Sequence, residues 1–328
     1  MITKYTNGIF IGFDNNIYSN GCVVFENGVF KSVQSNLNVK ADTTIDLGGK
    51  VVMPSLSNMF VKVKDNFNNV INYLIDSGVT NCVLSGNLSL SELQSAKLEL
   101  GNVAYAINVN KLYPLNKEAL TKKVNEIKNY VMPVLLIEDI LNLTESEVET
   151  IYLCAKNLKL NLFVYANENL EQVGICHNET KQTPIELIES YGLFDLNLTI
   201  LKCQSVDKYD LEILNKYNAN IVIMPIEDML YGDGITPIVS MLENNLNLSL
   251  SVGYNNNFLN ILRIIKLTQN AYLNSKNAVS AYDLLKMACK NKLFNINGIL
   301  IFDYKVDGKF DIDKFLMAEN KTFKLCLL

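Results

Sequence analysis

The sequence predicts an α/β protein: a (β/α)8 TIM-like barrel with a small β-sandwich domain formed by both chain ends. Three observations carry this reading. Residues 1–50 read as short strands and turns. From residue 51 to about 295, apolar β-branched runs alternate with helical patterns, giving eight strand-then-helix units. Eight units in about 245 residues is the size expected of such a barrel. After residue 295 the short-strand texture returns. The expected organisation is therefore a composite β domain from 1–50 and 296–328, and a barrel from 51–295. A doubly wound sheet is the structural alternative, but no Gly-rich phosphate turn follows any strand.

The elements follow in order. Asn7-Gly8, Asn20-Gly21 and Asn27-Gly28 are hairpin signals, because Asn and Gly accept the positive φ of tight turns. Gly21–Phe25 and Val29–Val33 are strands flanking the third. The turn Asp46-Leu47-Gly48-Gly49 leads into a first barrel strand, Val51–Val63. A helix follows around Val70-Ile71 and Leu74-Ile75. Further strands are Val79–Leu84, Val103–Asn108, Pro133–Ile137, Asn161–Ala166, Leu198–Lys202, Ala219–Met224 and Leu246–Val252. Nearly continuous apolar runs such as Ile221–Met224 suit strands buried on both faces of a parallel sheet. Ser89 with Glu92 and Thr144 with Glu147 read as capping boxes at helix starts. Ile151, Cys154 and Leu158 continue the second of these at helical spacing. Asp207 can cap the helix carrying Leu211, Ile213 and Leu214. Near the C-terminus, Gly298–Phe302, Lys309–Ile312 and Thr322–Leu327 are expected strands.

Composition narrows the function classes. The 328 residues are 49% hydrophobic and 19% charged, which excludes intrinsic disorder. The net charge of −5 and the single Arg give no basis for nucleic-acid binding. The 44 asparagines form no low-complexity block; the longest run is Asn255–Asn257. The seven cysteines include no Cys-x-x-Cys pair of the kind structural zinc sites use. Their odd number, with no apolar signal segment at the start, fits reduced thiols in a cytoplasm. No apolar stretch approaches the roughly 18–20 residues needed to span a bilayer. One His, His177, cannot build a metal site from several imidazoles. Cys176 beside it forms no dyad, since adjacent residues seldom direct their side chains at each other.

Asp46–Asn58, Ser77–Thr80, Thr183–Glu186 followed by Tyr191–Leu193, and Met224-Pro225 through Gly232–Pro237 stand in an order that resembles the amidohydrolase superfamily. The resemblance is to its branch of cytosine/guanine deaminases and chlorohydrolases, and it covers nearly the whole chain. It implies a zinc or iron ion that lowers the pKa of a bound water, with ligands at the C-terminal ends of barrel strands. The matching positions hold other residues. The strand-one His-x-His falls on Phe60 and Lys62. The strand-five His falls near Val164, and its following Glu is matched loosely by Asn167 or Glu168. The strand-six histidines fall on Lys202 and Ser205, the strand-seven His on Ile223, and the strand-eight Asp near Gly253. His177 matches none of them.

These substitutions, and a nearly absent insert after strand one, imply a catalytically degenerate barrel: a ligand-binding or partner subunit with no cofactor. A second hypothesis is an active metal-dependent hydrolase or deaminase acting on non-peptide C–N bonds with a rearranged site. Glu138, Asp139, Glu168 and Asp228 all follow expected strand ends and could offer oxygen ligands to Mg²⁺. A third is Schiff-base chemistry at Lys202, with Lys62 lowering its pKa by like-charge repulsion. The expected partners are a small molecule and either a second copy or an active relative, with neither nucleic acid nor membrane.

Overall fold

The computed structural model describes residues 1–12, 16–27, 29–34, 38–64, 66–253, 257–289, 291–295, 297–304, 306, 308–318 and 322–327. The chain opens with β1 (Ile2–Ile11), β2 (Ile17–Glu26), β3 (Val29–Gln34), β4 (Thr43–Asp46) and β5 (Val51–Pro54). Eight barrel strands follow: β6 (Leu56–Lys62), β7 (Val79–Ser85), β8 (Asn102–Asn108), β9 (Met132–Ile137), β10 (Asn161–Ala166), β11 (Asn197–Lys202), β12 (Asn220–Ile223) and β13 (Asn247–Leu250). The chain ends with β14 (Gly298–Phe302) and β15 (Phe323–Leu327).

Strands β6 to β13 form one parallel sheet in chain order. The helices between them are α1 (Phe67–Asp76), α2 (Leu90–Leu100), α3 (Lys117–Ile127), α4 (Glu145–Leu158), α5 (Leu170–Thr180), α6 (Pro184–Ser190), α7 (Lys208–Lys216), α8 (Pro225–Tyr231) and α9 (Ile238–Glu243). Two more, α10 (Phe258–Tyr272) and α11 (Ala281–Cys289), follow β13. The expected capping boxes at Ser89 and Thr144 are formed, and Asp207 caps its helix as expected. None of the described helices is long and apolar enough to cross a membrane.

Successive side chains of a strand point to opposite faces, so each barrel strand feeds two cores. Val83, Ala104, Ala106, Val134, Leu136, Phe163, Tyr165, Leu201, Val222 and Met224 join Met59 and Phe60 in the lumen. Their neighbours Leu162, Val164, Ile200, Ile221 and Ile223 pack outward among the helices. The seam between β6 and β13 is held by side chains. Asn58, fully buried, donates from Nδ2 to the Gly253 carbonyl at 2.6 Å and accepts from the Val252 N–H at 3.3 Å. Ser251 Oγ donates to the Phe60 carbonyl. An Asn58→Leu variant leaves both buried backbone groups without these partners. It should cost about 3 kcal/mol, since each buried orphan costs about 1–3 kcal/mol. The urea midpoint should fall while the m-value holds.

The chain ends meet as expected, but their seven strands share one sheet, in the order β15-β14-β5-β1-β2-β3 with β4 beside β1. The expected first barrel strand is in fact two. Val51–Pro54 pairs with β1 and β14 in this end sheet, and the barrel begins at Leu56. Two hairpin signals are not turns. Asn7 (φ 53) sits in a bulge of the continuous β1, and Gly21 of β2 lies opposite Gly8. A Cβ at Gly8 would stand 2.9 Å from Leu47 Cδ1, so glycine there serves close packing. Asn27 (φ 53) does end β2, while Gly28 lies outside the described residues, as do Asn255 and Asn256. Lys309–Ile312 is not a strand: Asp311 caps a short helix, α12 (Ile312–Met317), accepting from the N–H groups of Asp313 and Lys314.

Candidate active site

The C-terminal ends of β10, β11 and β12 carry the densest buried charge among the described residues. The chain leaves β10 through Asn167, which is buried at φ 50. Its Nδ2 donates to the Ser205 carbonyl and to Asp210 Oδ2, both at 2.8 Å, and Thr183 Oγ1 donates to the other Asp210 oxygen at 2.6 Å. This network fixes the loop that carries Glu168 before α5. On the neighbouring strand, Lys202 and Cys203 are consecutive non-Gly residues at φ 76 and φ 62. Left-handed backbone at such residues costs of order 1 kcal/mol each and persists where the surroundings enforce it. Here it ends β11 with a Lys side chain 5% exposed.

The Lys202 ammonium lies 3.1 Å from Asp228 Oδ1 and 3.0 Å from Asp233 Oδ2, with the Tyr231 ring centroid 5.8 Å away. Thr236 Oγ1 donates to the second Asp228 oxygen at 2.6 Å, and Asn169 Nδ2 donates to Asp233 Oδ1 at 3.0 Å. Burial alone would lower the Lys202 pKa, but the Asp228 charge and the hydrogen bonds that Lys202 donates to both carboxylates hold it above its ordinary value. Burial raises the Asp228 pKa against the pull of Thr236 and Lys202. Glu168 is the exceptional group: burial drives its carboxyl up to about 7, with Lys202 opposing and Asp233, Asp139 and Glu227 adding to the rise.

A second charged group stands at the ends of β6, β8 and β9. Lys62 donates to Glu138 at 2.7 Å, Asn108 Nδ2 donates to its other oxygen at 2.6 Å, and Lys111 lies 3.4 Å away. Burial opposes ionisation of Glu138, yet Lys62, Asn108 and Lys111 hold its pKa below the ordinary value. Between the two groups, Phe60 and Tyr165 meet edge to face, centroids 5.7 Å apart, and close the top of the lumen. Burial raises the Tyr165 pKa, and the charges of Glu227, Glu168 and Glu138 raise it further.

The structure re-sorts the residues expected from sequence. Glu168, Lys202 and Asp228 come together, and Phe60 and Lys62 stand at the mouth. Val164 and Ile223 do not line it: strand parity turns both outward into the helix-facing core, and Tyr165 occupies the lumen position beside Val164. Gly253 takes part through its carbonyl, which holds Asn58. The proposed quartet of metal-binding carboxylates is separated. Glu138 is neutralised by Lys62 and Lys111. Asp139 turns to its own loop, accepting from the Leu141 N–H and from Asn142 Nδ2. Asp228 is committed to Lys202. The expected depression of Lys202 by Lys62 is likewise corrected, since Lys62 pairs with Glu138 and the carboxylates raise Lys202. A Schiff base needs a neutral amine, so this raised pKa works against that chemistry. His177 is exposed within α5, away from these groups. Asp233 and Tyr165 were missed by sequence reasoning. Glycines on both sides of Asp233 marked its loop, and period-two alternation from Phe163 would have found Tyr165.

No family model matches the chain. Among curated proteins, the 5′-deoxyadenosine deaminase of Methanococcus maripaludis is 23% identical over 276 residues, 81% of this chain and 62% of that protein. The 5-methylthioadenosine/S-adenosylhomocysteine deaminase of Clostridium tetani is 25% identical over 53% of this chain and 43% of that protein. The fold is that of a solved Xanthomonas campestris adenosine deaminase with bound zinc: TM-score 0.80 and 11% identity over 96% of this chain and 89% of the other.

The chain is similar in sequence to these two deaminases and shares its fold with the third. It spans less than two thirds of the length of these two curated relatives. These relatives correct the expectation of a catalytically degenerate barrel, because they are named as deaminases and support an active hydrolase instead. The residues at the mouth do not fit an imidazole-held metal. The matched strand ends offer Phe60, Lys62 and Lys202, two of them ammonium groups that repel a cation. Among the described residues, no group of three His, Cys, Asp or Glu side chains is placed to hold an ion.

Proposed function

We propose that this chain is an amidohydrolase, an active hydrolase of non-peptide C–N bonds of the deaminating kind for which its relatives are named, with its chemistry at the Glu168–Lys202 end of the barrel. The observation that carries this reading is the Glu168 carboxyl, raised to about 7 beside a fixed cation. Hydrolytic deamination adds water to a carbon bearing an amino group and expels ammonia. The water must lose a proton and the leaving nitrogen must gain one. A carboxyl with a pKa near the working pH can take the first proton and return the second. Lys202, held cationic by Asp228 and Asp233, faces negative charge as it builds on the substrate, in a site partly closed to water where such charge is worth most. Tyr165 and Phe60 form the apolar floor under the reacting group. The relatives' names point to aminopurine nucleosides as substrates.

The test is ammonia release from 5′-deoxyadenosine and 5-methylthioadenosine. We expect kcat/KM to fall as pH drops below about 7, as the base Glu168 takes up its proton. Because no metal-holding group among the described residues serves the step, 1,10-phenanthroline and EDTA should leave the rate within twofold. Absence of ammonia release from both nucleosides would overturn the proposal, and a rate abolished by chelation would overturn its metal-free mechanism.

A further inference from the structure

Nothing among the described residues hydrogen-bonds the Glu168 carboxyl. Charge reaches it from Lys202, Asp233, Asp139 and Glu227, and its backbone N–H donates to Gln172 Oε1 at 3.1 Å. Its place is therefore set by the backbone that carries it. Asn167 is the hub that turns β10 into that backbone. The Asn167 carbonyl accepts from the Ser205 N–H at 2.9 Å. Its side-chain Nδ2 donates to the Ser205 carbonyl and to Asp210 Oδ2, and its Oδ1 accepts from the Ile185 N–H at 3.3 Å. One amide thus ties the end of β10 to the loop after β11, to α6 and to α7.

Behind this hub lies Asp210, 1% exposed. Three donors meet its two oxygens: Thr183 Oγ1 on Oδ1, and Asn167 Nδ2 with the Asp207 N–H at 3.1 Å on Oδ2. The capping box of α7 accounts for the Asp207 bond alone. The other two bonds run out of the helix. Burial pushes the Asp210 pKa up against the pull of Thr183 and the Asp207 N–H, while Asp207 and Glu186 add like charge. A carboxylate is acceptor-only, so it answers all three donors where a group with its own N–H or O–H would have to turn one away.

We propose that Asp210 is a positioning residue for the reaction: acting through Asn167, it sets where the Glu168 carboxyl stands, and it touches no substrate itself. The inference rests on the role proposed for Glu168. Placement of this kind matters, because an error of about 1 Å can cost roughly 10²-fold in rate.

Asp210→Ala removes the acceptor that holds Asn167. We expect kcat to fall at least about tenfold with KM within about threefold. The pH midpoint of kcat/KM should drop from about 7 toward the ordinary value near 4.3, as the loosened Glu168 meets water. Asp210→Asn separates position from charge. It removes the charge but keeps an oxygen for Asn167 and the Asp207 N–H, with the Thr183 hydroxyl turned round to accept from the new amide, so it should restore most of both values. Asn167→Gly suits the φ of 50 and cuts the same link from the other side. The double variant Asp210→Ala/Asn167→Gly should lose little more than either single one, since residues acting through one contact are not additive. Thermal melts check that each variant folds; if Asp210→Ala does not, Asp210→Ser, polar but too short to reach Asn167, takes its place. Lost stability with rate and pH midpoint unchanged overturns the proposal, and so do losses that multiply in the double variant. The Glu168 titration is also read without activity, by NMR of ¹³C-glutamate-labelled protein, its signal being the one absent from Glu168→Gln. If the parent releases no ammonia, the deaminating reading fails. The placement of Glu168 by Asp210 is then decided by that signal, and a midpoint unmoved in Asp210→Ala overturns it.

Discussion

Replacing Glu168 by Gln is expected to make the protein more stable at pH 8 and at least about a hundredfold slower in ammonia release. The two effects share one cause. An unfolded Glu titrates near 4.3, whereas burial holds the folded carboxyl near 7. Between those values the folded state binds more protons than the unfolded one, so stability falls as pH rises through this window. Below the unfolded pKa the group is neutral in both states and its contribution is fully present. Above the folded pKa it is lost, at a cost of about 3 kcal/mol for a shift of this size. Gln keeps the shape of the neutral acid and never ionises. Urea denaturation should therefore show Glu168→Gln more stable by about 3 kcal/mol at pH 8 and unchanged near pH 4.5. The rate loss follows from removing a general acid–base, typically worth about 10²–10⁴-fold. A variant less stable than the parent at pH 8 would mean that the carboxylate is welcome where it sits, and the role assigned to it would fail.

The barrel was legible in the sequence because its signals are local. Asn161–Ala166 was read with its final boundaries, since a buried parallel strand is a continuous apolar run with polar ends. The capping boxes were legible because each needs only four residues. The errors arose where a local signal served a distant contact. Asn7-Gly8 has turn chemistry, but β2 pairs along all of β1 and turns the signal into a bulge. Val51–Val63 reads as one strand, but β1 and β14, the latter some 250 residues later in the chain, claim Val51–Pro54 for the end sheet. The site shows the same division. Lys202 and Glu168 stood out as polar groups at strand ends. That Val164 faces the helices while Tyr165 faces the lumen depends on parity, and a one-residue slip reverses it. That Lys202 is a guarded cation depends on Asp233, which reaches it from a loop 31 residues further on.

Lys202→Met should be the most destabilising single change at the mouth. It removes the cation between two carboxylates. Asp228 is fully buried, and the Asp233 side chain is 13% exposed. Breaking a buried ion pair from one side costs about 3–5 kcal/mol, because the surviving charge keeps its desolvation penalty without its partner. The loss should deepen with pH. Without Lys202 the Asp228 pKa rises further, so more of the range above pH 4 forces an unfavourable ionisation in the folded state. The double variant Lys202→Met/Asp228→Asn tests this directly. It removes the orphaned charge and keeps an acceptor for Thr236, so it should recover more than half of the lost stability at pH 8 and much less at pH 5. Urea midpoints of the parent, both single variants and the double variant at these two pH values give the coupling energy. If the single variant costs under about 1 kcal/mol at pH 8, the carboxylates were already neutral or hydrated. Lys202 would then not be the fixed cation that the proposed chemistry requires. Recovery in the double variant without recovery of ammonia release separates the two duties of this residue: Asp228→Asn can relieve the electrostatic stress, but it cannot replace the positive charge that faces the substrate.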